Sequence, residues 1–336
     1  MLEIPLLLII IIVVALIFDF TNGAHDCANA IATVVSTRVM SPKAAVIMAA
    51  ILNFVGALLG EKVARTLGAG IVNTDMVMGS QILVLAALCG AIVWNLITWY
   101  FGLPSSSSHA LIGGLMGAAM CHGGMNSLNG HSIVMKVVLP LILSPLVGFA
   151  VSYLVMTTLM LIFWRAHRQR LNRWFSKLQI LSSAFMATSH GLNDAQKTMG
   201  IIALALFLFH RIDTIYIPFW VKIVCALAMA LGTATGGWKI IKTMGHGIFK
   251  LEPAHGFAAE TSASLVITGA SMMGAPISTT HVASASIFGV GVTKRFSAVR
   301  WGVAGNLVVA WIMTIPASAF IAALCFYVFS ALQMGD

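Results

Sequence analysis

The stretch Asn22-Gly-Ala-His-Asp26-Cys-Ala-Asn29-Ala recurs in altered form later in the chain as His190-Gly-Leu-Asn-Asp194-Ala-Gln-Lys197-Thr. Two further pairs of segments match each other, in the same order along the chain and with nearly the same spacing. They are residues 60–70 with 237–247, and residues 102–109 with 274–281. Three collinear matches are hard to produce by chance, so the sequence predicts a tandem duplication.

The composition places this duplication in a membrane. Hydrophobic residues make up 59% of the 336 residues and charged residues 9%, whereas a soluble domain carries about 25% charged residues. Long apolar runs occur at residues 4–18, 82–98, 133–163, 215–231 and 302–332, and a membrane-spanning helix needs about 20 apolar residues. We therefore predict an all-α integral membrane protein. Its first apolar run is expected to be a retained membrane helix, because it has neither the basic start nor the cleavage site of a signal peptide.

A duplicated membrane protein is typically a transporter or channel. If each half has an odd number of spans, the halves insert in opposite orientations around a site at mid-membrane. We predict two inverted repeats, residues 1–164 and 178–336, with about 10–12 membrane segments including two re-entrant helical hairpins. A duplicated scaffold is the weaker interpretation, because the repeated segments are the polar ones.

Basic residues cluster between the two halves, in residues 165–177. The cluster contains Arg165, Arg168, Arg170, Arg173 and Lys177. It is typical of a cytoplasmic linker under the positive-inside rule. The net charge of +9 therefore does not indicate a nucleic-acid partner. The five cysteines form no CxxC pair, so we expect neither a disulfide framework nor a zinc site.

The first motif of each half concentrates polar residues inside apolar sequence. An ionised Asp at the bilayer centre costs at least about 2.5–3.5 kcal/mol, so it marks function. We expect Gly23 to interrupt its helix and to free backbone carbonyls for a cation. Oxygen ligands suit Na⁺, whereas a carboxylate beside an imidazole can pass a proton. The predicted coupling-ion residues are Asn22, His25, Asp26, Asn29, Asp194, Lys197 and Glu260. Asn22 and Asn29 have the alternative of bonding across packed helices.

Two of these residues each have two alternative roles. Lys197 is expected to pair with Asp194 as an internal counter-ion or to complement a bound anion. Glu260 is either a second cation ligand or proton carrier, or a surface acid. The sequence does not choose within either pair.

The second motif of each half is a run of hydroxyls behind a proline. Pro104 precedes four serines and His109, and Pro276 precedes a similar run that ends at His281. Proline suits the turn that starts a helix, and a helix N-terminus carries free N–H donors that bind oxyanions. The predicted anion-binding hydroxyls are Ser105, Ser106, Ser107, Ser108, Ser278, Thr279 and Thr280. Ordinary N-capping explains one hydroxyl per helix but not a run.

Enzyme and metal sites are less favoured. Ser106 or Ser107 with His109 and Asp26 imitates a hydrolase triad, but no Gly-x-Ser-x-Gly elbow occurs. His25, Asp26 and Cys27 diverge around a helix and so do not form a metal site. No Walker-type nucleotide loop is present. We predict a protein that is not an enzyme and that uses no metal and no cofactor besides a coupling cation.

At these motifs the sequence resembles the inorganic phosphate transporter (PiT) family. Its duplicated signature is similar to Asn22-Gly-Ala-His-Asp26-Cys-Ala-Asn29 and His190-Gly-Leu-Asn193-Asp194-Ala-Gln-Lys197. Its hairpins resemble the two proline–hydroxyl–histidine runs, and the resemblance covers essentially the whole chain. It implies that signature residues, including Asn193 and Gln196, take part in cation and substrate binding. It also implies that the hairpin hydroxyls contact phosphate.

The resemblance is strongest to bacterial low-affinity phosphate permeases. It implies secondary-active symport of inorganic phosphate, free or as a metal complex, with H⁺ or Na⁺. His25 stands where the strict signature has Asn, which puts Na⁺ coupling in doubt. Sulfate or another oxyanion as substrate, and a channel or intramembrane hydrolase, are the alternatives. We expect a multi-pass protein of the cell inner membrane, with residues 165–177 on the cytoplasmic side. The expected partners are phosphate and the lipid bilayer and no nucleic acid, and a homo-oligomer is left open.

Overall fold

The structure is a computed structural model that describes residues 5–70 and 80–332. Within these residues the chain is built from helices, and no strand occurs there. The helices of the first half are α1 (Leu6–Ser36), α2 (Pro42–Leu58), α3 (Lys62–Gly70), α4 (Gln81–Phe101), α5 (Ser107–Gly123) and α6 (Gly130–Ile162). Those of the second half are α7 (Arg168–Leu208), α8 (Phe219–Thr235), α9 (Trp238–Gly247), α10 (Pro253–Met272), α11 (Thr279–Lys294) and α12 (Trp301–Ala331).

The helices follow each other in the same order in the two halves. Each half starts with a long helix that carries the first motif, continues with a helix of 17 residues and a short helix, and ends on a long apolar helix. Each hydroxyl run lies at the start of a helix, α5 in the first half and α11 in the second. This order agrees with the predicted duplication, while the inverted relation of the halves stays a prediction.

The two halves interlock in space. Helices α1 and α2 pack against α7 and α8, and the last helix of each half packs on the hairpin of the other. Thus α6 lies against α10 and α11, whereas α12 lies against α4 and α5. The predicted boundary near residues 165–177 therefore separates the two halves in sequence, but the halves do not form two separate folded units.

The outer surface is apolar and the interior holds the polar groups. Helices α1, α4, α6 and α12 are long and apolar enough to cross a membrane, and the bent pair α8–α9 makes up a fifth candidate. Helices α7 and α10 are long but more polar, since they carry Asp194, Lys197 and Glu260. Large apolar side chains such as Phe219 and Phe320 are exposed, as expected of a surface that faces lipid. The predicted total of about 10–12 segments stays a prediction.

The expected interruption of α1 at Gly23 is wrong. Helix α1 runs unbroken from Leu6 to Ser36, and α7 likewise continues through Gly191. A Cβ atom on Gly23 would lie 2.3 Å from the carbonyl oxygen of Met229 in α8. A Cβ atom on Gly191 would lie 2.2 Å from the carbonyl oxygen of Asn53 in α2. These glycines let helices of opposite halves approach closely, as small residues do in membrane proteins.

Each proline–hydroxyl run forms a tight, buried connection. Helix α4 ends at Gly102, whose φ of 66° is in the left-handed region that glycine tolerates best. Gly274, after α10, has a φ of 74°. Pro104 and Ile277 in the two connections are buried, although connections normally lie at the surface. Both connections therefore turn inside the protein, while the re-entrant arrangement of the helix pairs stays a prediction.

The basic segment is mostly helical rather than a loop. Only residues 163–167 form a turn, and the rest of the predicted linker is the start of α7. Trp164 in the turn is exposed. Helix α7 continues for 41 residues without a break, so the joint between the halves is shorter than the sequence suggested.

Candidate functional site

A polar layer lies between two apolar clusters of the interior. One cluster contains Leu8–Phe18 side chains of α1 with the C-terminal half of α7, and the other contains the C-terminal half of α1 with Met186 and Ala187 of α7. The two long helices therefore run past each other in opposite directions. Both carry their first motif in the layer where they cross.

The two signature aspartates meet in this layer. Ligand atoms of Asp26, Asp194 and His190 all lie within 4.8 Å of one another, and the three side chains are buried. His190 Nε2 lies 3.0 Å from Asp194 Oδ2. Two carboxylates and an imidazole so close together, away from water, form a place where a cation is favoured. Each half of the chain thus contributes one acid to a single centre.

The hydroxyl run of the first half lies beside Asp26. Ser107 donates to Asp26 Oδ2 over 3.3 Å, and Ser105 donates to Thr98 Oγ1 over 2.8 Å. His25 Nδ1 lies 2.5 Å from Asp26 Oδ1, and its Nε2 lies 3.1 Å from Thr98 Oγ1. The histidine therefore connects the carboxylate of α1 to the end of α4.

The hydroxyl run of the second half lies beside Asp194 in the same manner. Thr279 donates to Asp194 Oδ2 over 2.7 Å. Asn29 of α1 donates to Thr280 over 2.9 Å, so an amide of the first half holds a hydroxyl of the second. Each hydroxyl run thus contacts the aspartate of its own half at the N-terminus of a helix, where backbone N–H groups are unpaired.

Lys197 joins the two runs. Its ammonium group donates to Asp194 Oδ1 and Ser108 Oγ, and over 3.1 Å to the carbonyl oxygen of Ile277. The side chain is fully buried. Of the two alternatives for Lys197, pairing with Asp194 is the one seen, and the contact with Ser108 places its charge between the two turns.

Ser106 and Ser278 are capping residues. The side chain of Ser106 accepts from the backbone N–H of His109, and that of Ser278 accepts from the backbone N–H of His281, each over 3.2 Å. The rings of the two histidines lie against each other, with centroids 4.9 Å apart. One serine of each run therefore starts its helix, and the following hydroxyls lie in the polar layer.

Asn193 and Gln196 lie at the edge of this arrangement. Asn193 donates to Ser271 of α10 over 2.7 Å. Gln196 accepts from the backbone N–H of Val63 over 2.9 Å, at the start of α3. Both side chains make helix–helix contacts, and their part in substrate binding stays a prediction.

Glu260 forms a separate buried cluster. The interpretation as a surface acid is wrong, because only 2% of the residue is exposed. Its carboxylate accepts from Thr33 and Ser182, and over 3.3 Å from Gln179. Glu260, Thr33 and Asn29 line one small cavity of about 10 Å³, so this cluster adjoins the centre through α1.

Sequence reasoning missed several of these groups. His190 stands one turn before Asp194, and this i,i+4 spacing was the available signal. Thr33, Thr98, Gln179 and Ser182 gave no local signal, since they reach the site only through packing of distant helices. Asn22 lies on the same face of α1 as Asp26, and its Oδ1 has no hydrogen-bond partner within residues 5–70 and 80–332.

The hydrolase triad that the sequence imitates, Ser106 or Ser107 with His109 and Asp26, does not form in the structure. Ser107 contacts Asp26 directly, with no histidine between them. His109 Nδ1 has no hydrogen-bond partner in the part of the chain that the structure describes, and Ser106 caps its helix. Ser106 or Ser107, His109 and Asp26 therefore do not form a nucleophile, base and orienting acid in series.

Fold and site together define a class of protein. The chain is a multi-pass helical membrane protein in which acids and hydroxyl-bearing helix starts from two halves enclose one buried centre. That is the arrangement of a solute transporter.

Comparison with known proteins gives the family. The model of the phosphate transporter family matches residues 22–322, so the chain belongs to that family. A protein of Rhizobium meliloti (strain 1021) named "Probable low-affinity inorganic phosphate transporter" is 49% identical over 96% of both chains. A protein of the same name from Bacillus subtilis (strain 168) is 44% identical over 96% of this chain and 97% of its own.

One solved structure is similar in fold over nearly its whole length. It is titled "The sodium-dependent phosphate transporter" and matches with a TM-score of 0.84 and 27% identity, over 97% of this chain and 99% of the other. The relatives are named for transport and not for catalysis, which confirms that the family is not one of enzymes. The resemblance to the PiT family is also confirmed.

Proposed function

We propose that this chain is a secondary-active symporter that takes up inorganic phosphate together with a cation. One observation carries the proposal. The acids of the two signature motifs and the hydroxyls of the two helix starts lie in contact in one buried layer, one set from each half. Cation-binding and anion-binding groups are therefore adjacent, as coupling requires.

The anion would be held by the hydroxyl runs. Ser107 and Thr279 are at the N-terminal ends of α5 and α11, where the helix dipole favours negative charge. Lys197 adds a positive charge between the two runs. Hydrogen phosphate also carries one O–H group, and Asp26 or Asp194 would accept a hydrogen bond from it. Sulfate lacks this donor at neutral pH, which favours phosphate over sulfate as the substrate.

The cation would be held by the acids. Asp26, Asp194 and His190 supply two carboxylates and an imidazole, and Asn22 and Asn29 add amide oxygens without a partner in the described residues. The relative of known structure is named as sodium-dependent, which supports a coupling cation. For this chain we propose H⁺ or Na⁺, and we propose phosphate as the free anion or as its divalent-metal complex.

The membrane arrangement follows the same proposal. Residues 1–164 and 178–336 are inverted repeats in a cell inner membrane, and the basic segment 165–177 is cytoplasmic. The α4–α5 and α10–α11 pairs are re-entrant hairpins whose buried turns carry the hydroxyls. The crossing of α1 and α7 in opposite directions supports this symmetry.

Uptake into proteoliposomes tests the proposal. Labelled phosphate is supplied outside, first with an imposed Na⁺ gradient and then with an imposed pH gradient. Accumulation against the phosphate gradient under either condition is expected, and flux that ignores both gradients would show a channel. Unlabelled sulfate is expected to compete poorly, and competition equal to that of phosphate would overturn the substrate assignment. Measuring uptake with added or chelated divalent metal distinguishes transport of free phosphate from transport of its metal complex.

A further inference from the structure

Asp19 is a buried acid outside the centre described above. It lies on α1 seven residues before Asp26, about 10 Å along the helix axis and on the same face. The residue is fully buried, and neither carboxylate oxygen has a hydrogen-bond partner within residues 5–70 and 80–332. The repeat aligns Asp19 with Ala187, so this acid has no counterpart in the second half.

The surroundings of Asp19 do not neutralise an ionised carboxylate. The hydroxyl of Thr198 on α7 lies beside the carboxylate of Asp19, but the two groups do not have hydrogen-bond geometry. Asp194 and Lys197 are within electrostatic reach, and Cys225 of α8 faces the same region. Helix α4, which also packs on α1, contains no charged residue.

Lys197 is already committed to other acceptors. An ammonium group has three N–H donors, and Lys197 uses them on Asp194, Ser108 and Ile277. An unpaired, buried carboxylate is so costly that the group takes up a proton instead. The neutral acid therefore fits the arrangement of partners that the structure shows.

We propose that Asp19 is the proton-binding site of the transport cycle, and that its charge controls how Lys197 holds the two hydroxyl-bearing turns. The inference rests on the proposed phosphate symport and makes H⁺ the coupling ion. With the proton bound, Lys197 pairs with Asp194 and contacts both turns. When Asp19 releases the proton, its new negative charge attracts Lys197 away from Ser108 and Ile277. The two turns then lose their shared cation and can part.

We infer that the proton reaches Asp19 from the side of the N-terminal part of α1. A cavity of about 490 Å³ is lined by Ile12 and Val13 of α1, Leu206 of α7 and Tyr216. Asp19 lies six residues beyond Val13, about 9 Å deeper along the helix.

The experiment compares two transport modes in one variant. Asp19→Asn keeps the shape of the side chain but binds no proton. In proteoliposomes, accumulation of phosphate driven by a pH gradient is expected to be lost. Exchange of internal for external phosphate at equal pH is expected to persist, because it needs no net proton movement. Asp19→Glu is expected to restore accumulation, since it restores the carboxyl group. Asp213→Asn, at an exposed position, is the control.

Several outcomes would overturn the inference. Accumulation by Asp19→Asn at the level of the wild type would do so. Loss of exchange in an Asp19→Asn protein that elutes as folded would also do so. Wild-type accumulation driven only by Na⁺ would reject the proton site and leave the symport proposal standing. No phosphate uptake by the wild type under either gradient would instead refute the proposed function.

Infrared spectroscopy provides a readout that needs no transport. The purified wild type is expected to show the band of a protonated carboxylic acid that disappears in Asp19→Asn and shifts in Asp19→Glu. If Asp19→Asn fails to fold, the band is followed in wild type and Asp19→Glu alone. An unchanged band in a folded Asp19→Asn or Asp19→Glu variant would show that Asp19 is not the protonated group.

Discussion

Asp26 and Asp194 hold corresponding places in the two halves but have different neighbours. Asp26 contacts His25 and Ser107, whereas Asp194 contacts Lys197 and Thr279. Asp26 is therefore paired with an imidazole, and Asp194 with the imidazole of His190 and with an ammonium group. The two acids occupy corresponding motif positions, but the centre is not electrostatically symmetric.

Replacing either acid by its amide is expected to abolish uptake. Asp26→Asn and Asp194→Asn keep the volume of the side chain but remove the negative charge that attracts the cation. Uptake of labelled phosphate into proteoliposomes measures the effect, with the exposed Asp213→Asn as the control. Undiminished uptake in both variants would refute the assignment of these residues to the site.

Lys197 is expected to matter for stability and for transport in separable ways. Lys197→Met leaves Asp194 without its cation, and breaking a buried ion pair from one side costs about 3–5 kcal/mol. The melting temperature in detergent should fall.

The double variant Lys197→Met with Asp194→Asn removes both charges. It should recover most of the melting temperature, because no unpaired charge remains, but it should not recover uptake. A double variant as unstable as the single one would show that Lys197 acts through packing alone.

At the scale of elements, the glycines of the first motif set the distance between helices. The sequence suggested that Gly23 interrupts α1, because glycine within polar sequence often marks an unwound segment. The structure shows that Gly23 lies in close contact with another helix instead. The backbone of α1 lies against α8 at Gly23 and Gly232, and that of α7 lies against α2 at Gly191 and Gly56.

Adding one methyl group at this crossing is expected to destabilise the protein. In Gly23→Ala the new Cβ would lie 2.3 Å from a backbone oxygen of α8. The helices must separate, and overpacking of this kind costs about 1–3 kcal/mol. Thermal melting monitored by fluorescence-detected size exclusion measures the change.

Gly305→Ala in α12 is the matched control. A Cβ at Gly305 meets no atom within 4 Å, and replacing an unhindered helical glycine by Ala stabilises by about 0.5–1 kcal/mol. The two substitutions should thus change the melting temperature in opposite directions. Equal effects would contradict the role of Gly23 in the crossing.

At the scale of the molecule, each half completes the other. Helix α6 covers the hairpin of the second half, and α12 covers that of the first. Neither half can bury its hairpin alone, and a hairpin with buried polar turns is unstable in lipid without such cover.

Splitting the chain tests this interlocking. Cutting in the turn at residues 163–167 should leave two fragments that aggregate when expressed separately and that restore uptake when expressed together. Copurification of one tagged fragment with the other, and phosphate uptake by the pair, are the measurements. A monodisperse, stable single half would contradict the interlocked fold.

The sequence by itself determined the class of protein, predicted the duplication and named most residues of the candidate site. Low charge and long apolar runs leave a membrane as the only environment that fits, and the two motif pairs identified Asp26, Asp194 and both hydroxyl runs. These features are local, since each depends on residues close together in the chain.

Only the tertiary structure decided which groups share the centre. His190, Thr98 and Glu260 lie on separate helices that packing brings together. Asn193 and Gln196 make contacts between helices. The continuity of α1 was likewise decided by packing, because the partner of Gly23 is a backbone more than half the chain away in sequence. Contacts of that range depend on how the helices cross, and periodicity within one helix does not specify the crossing.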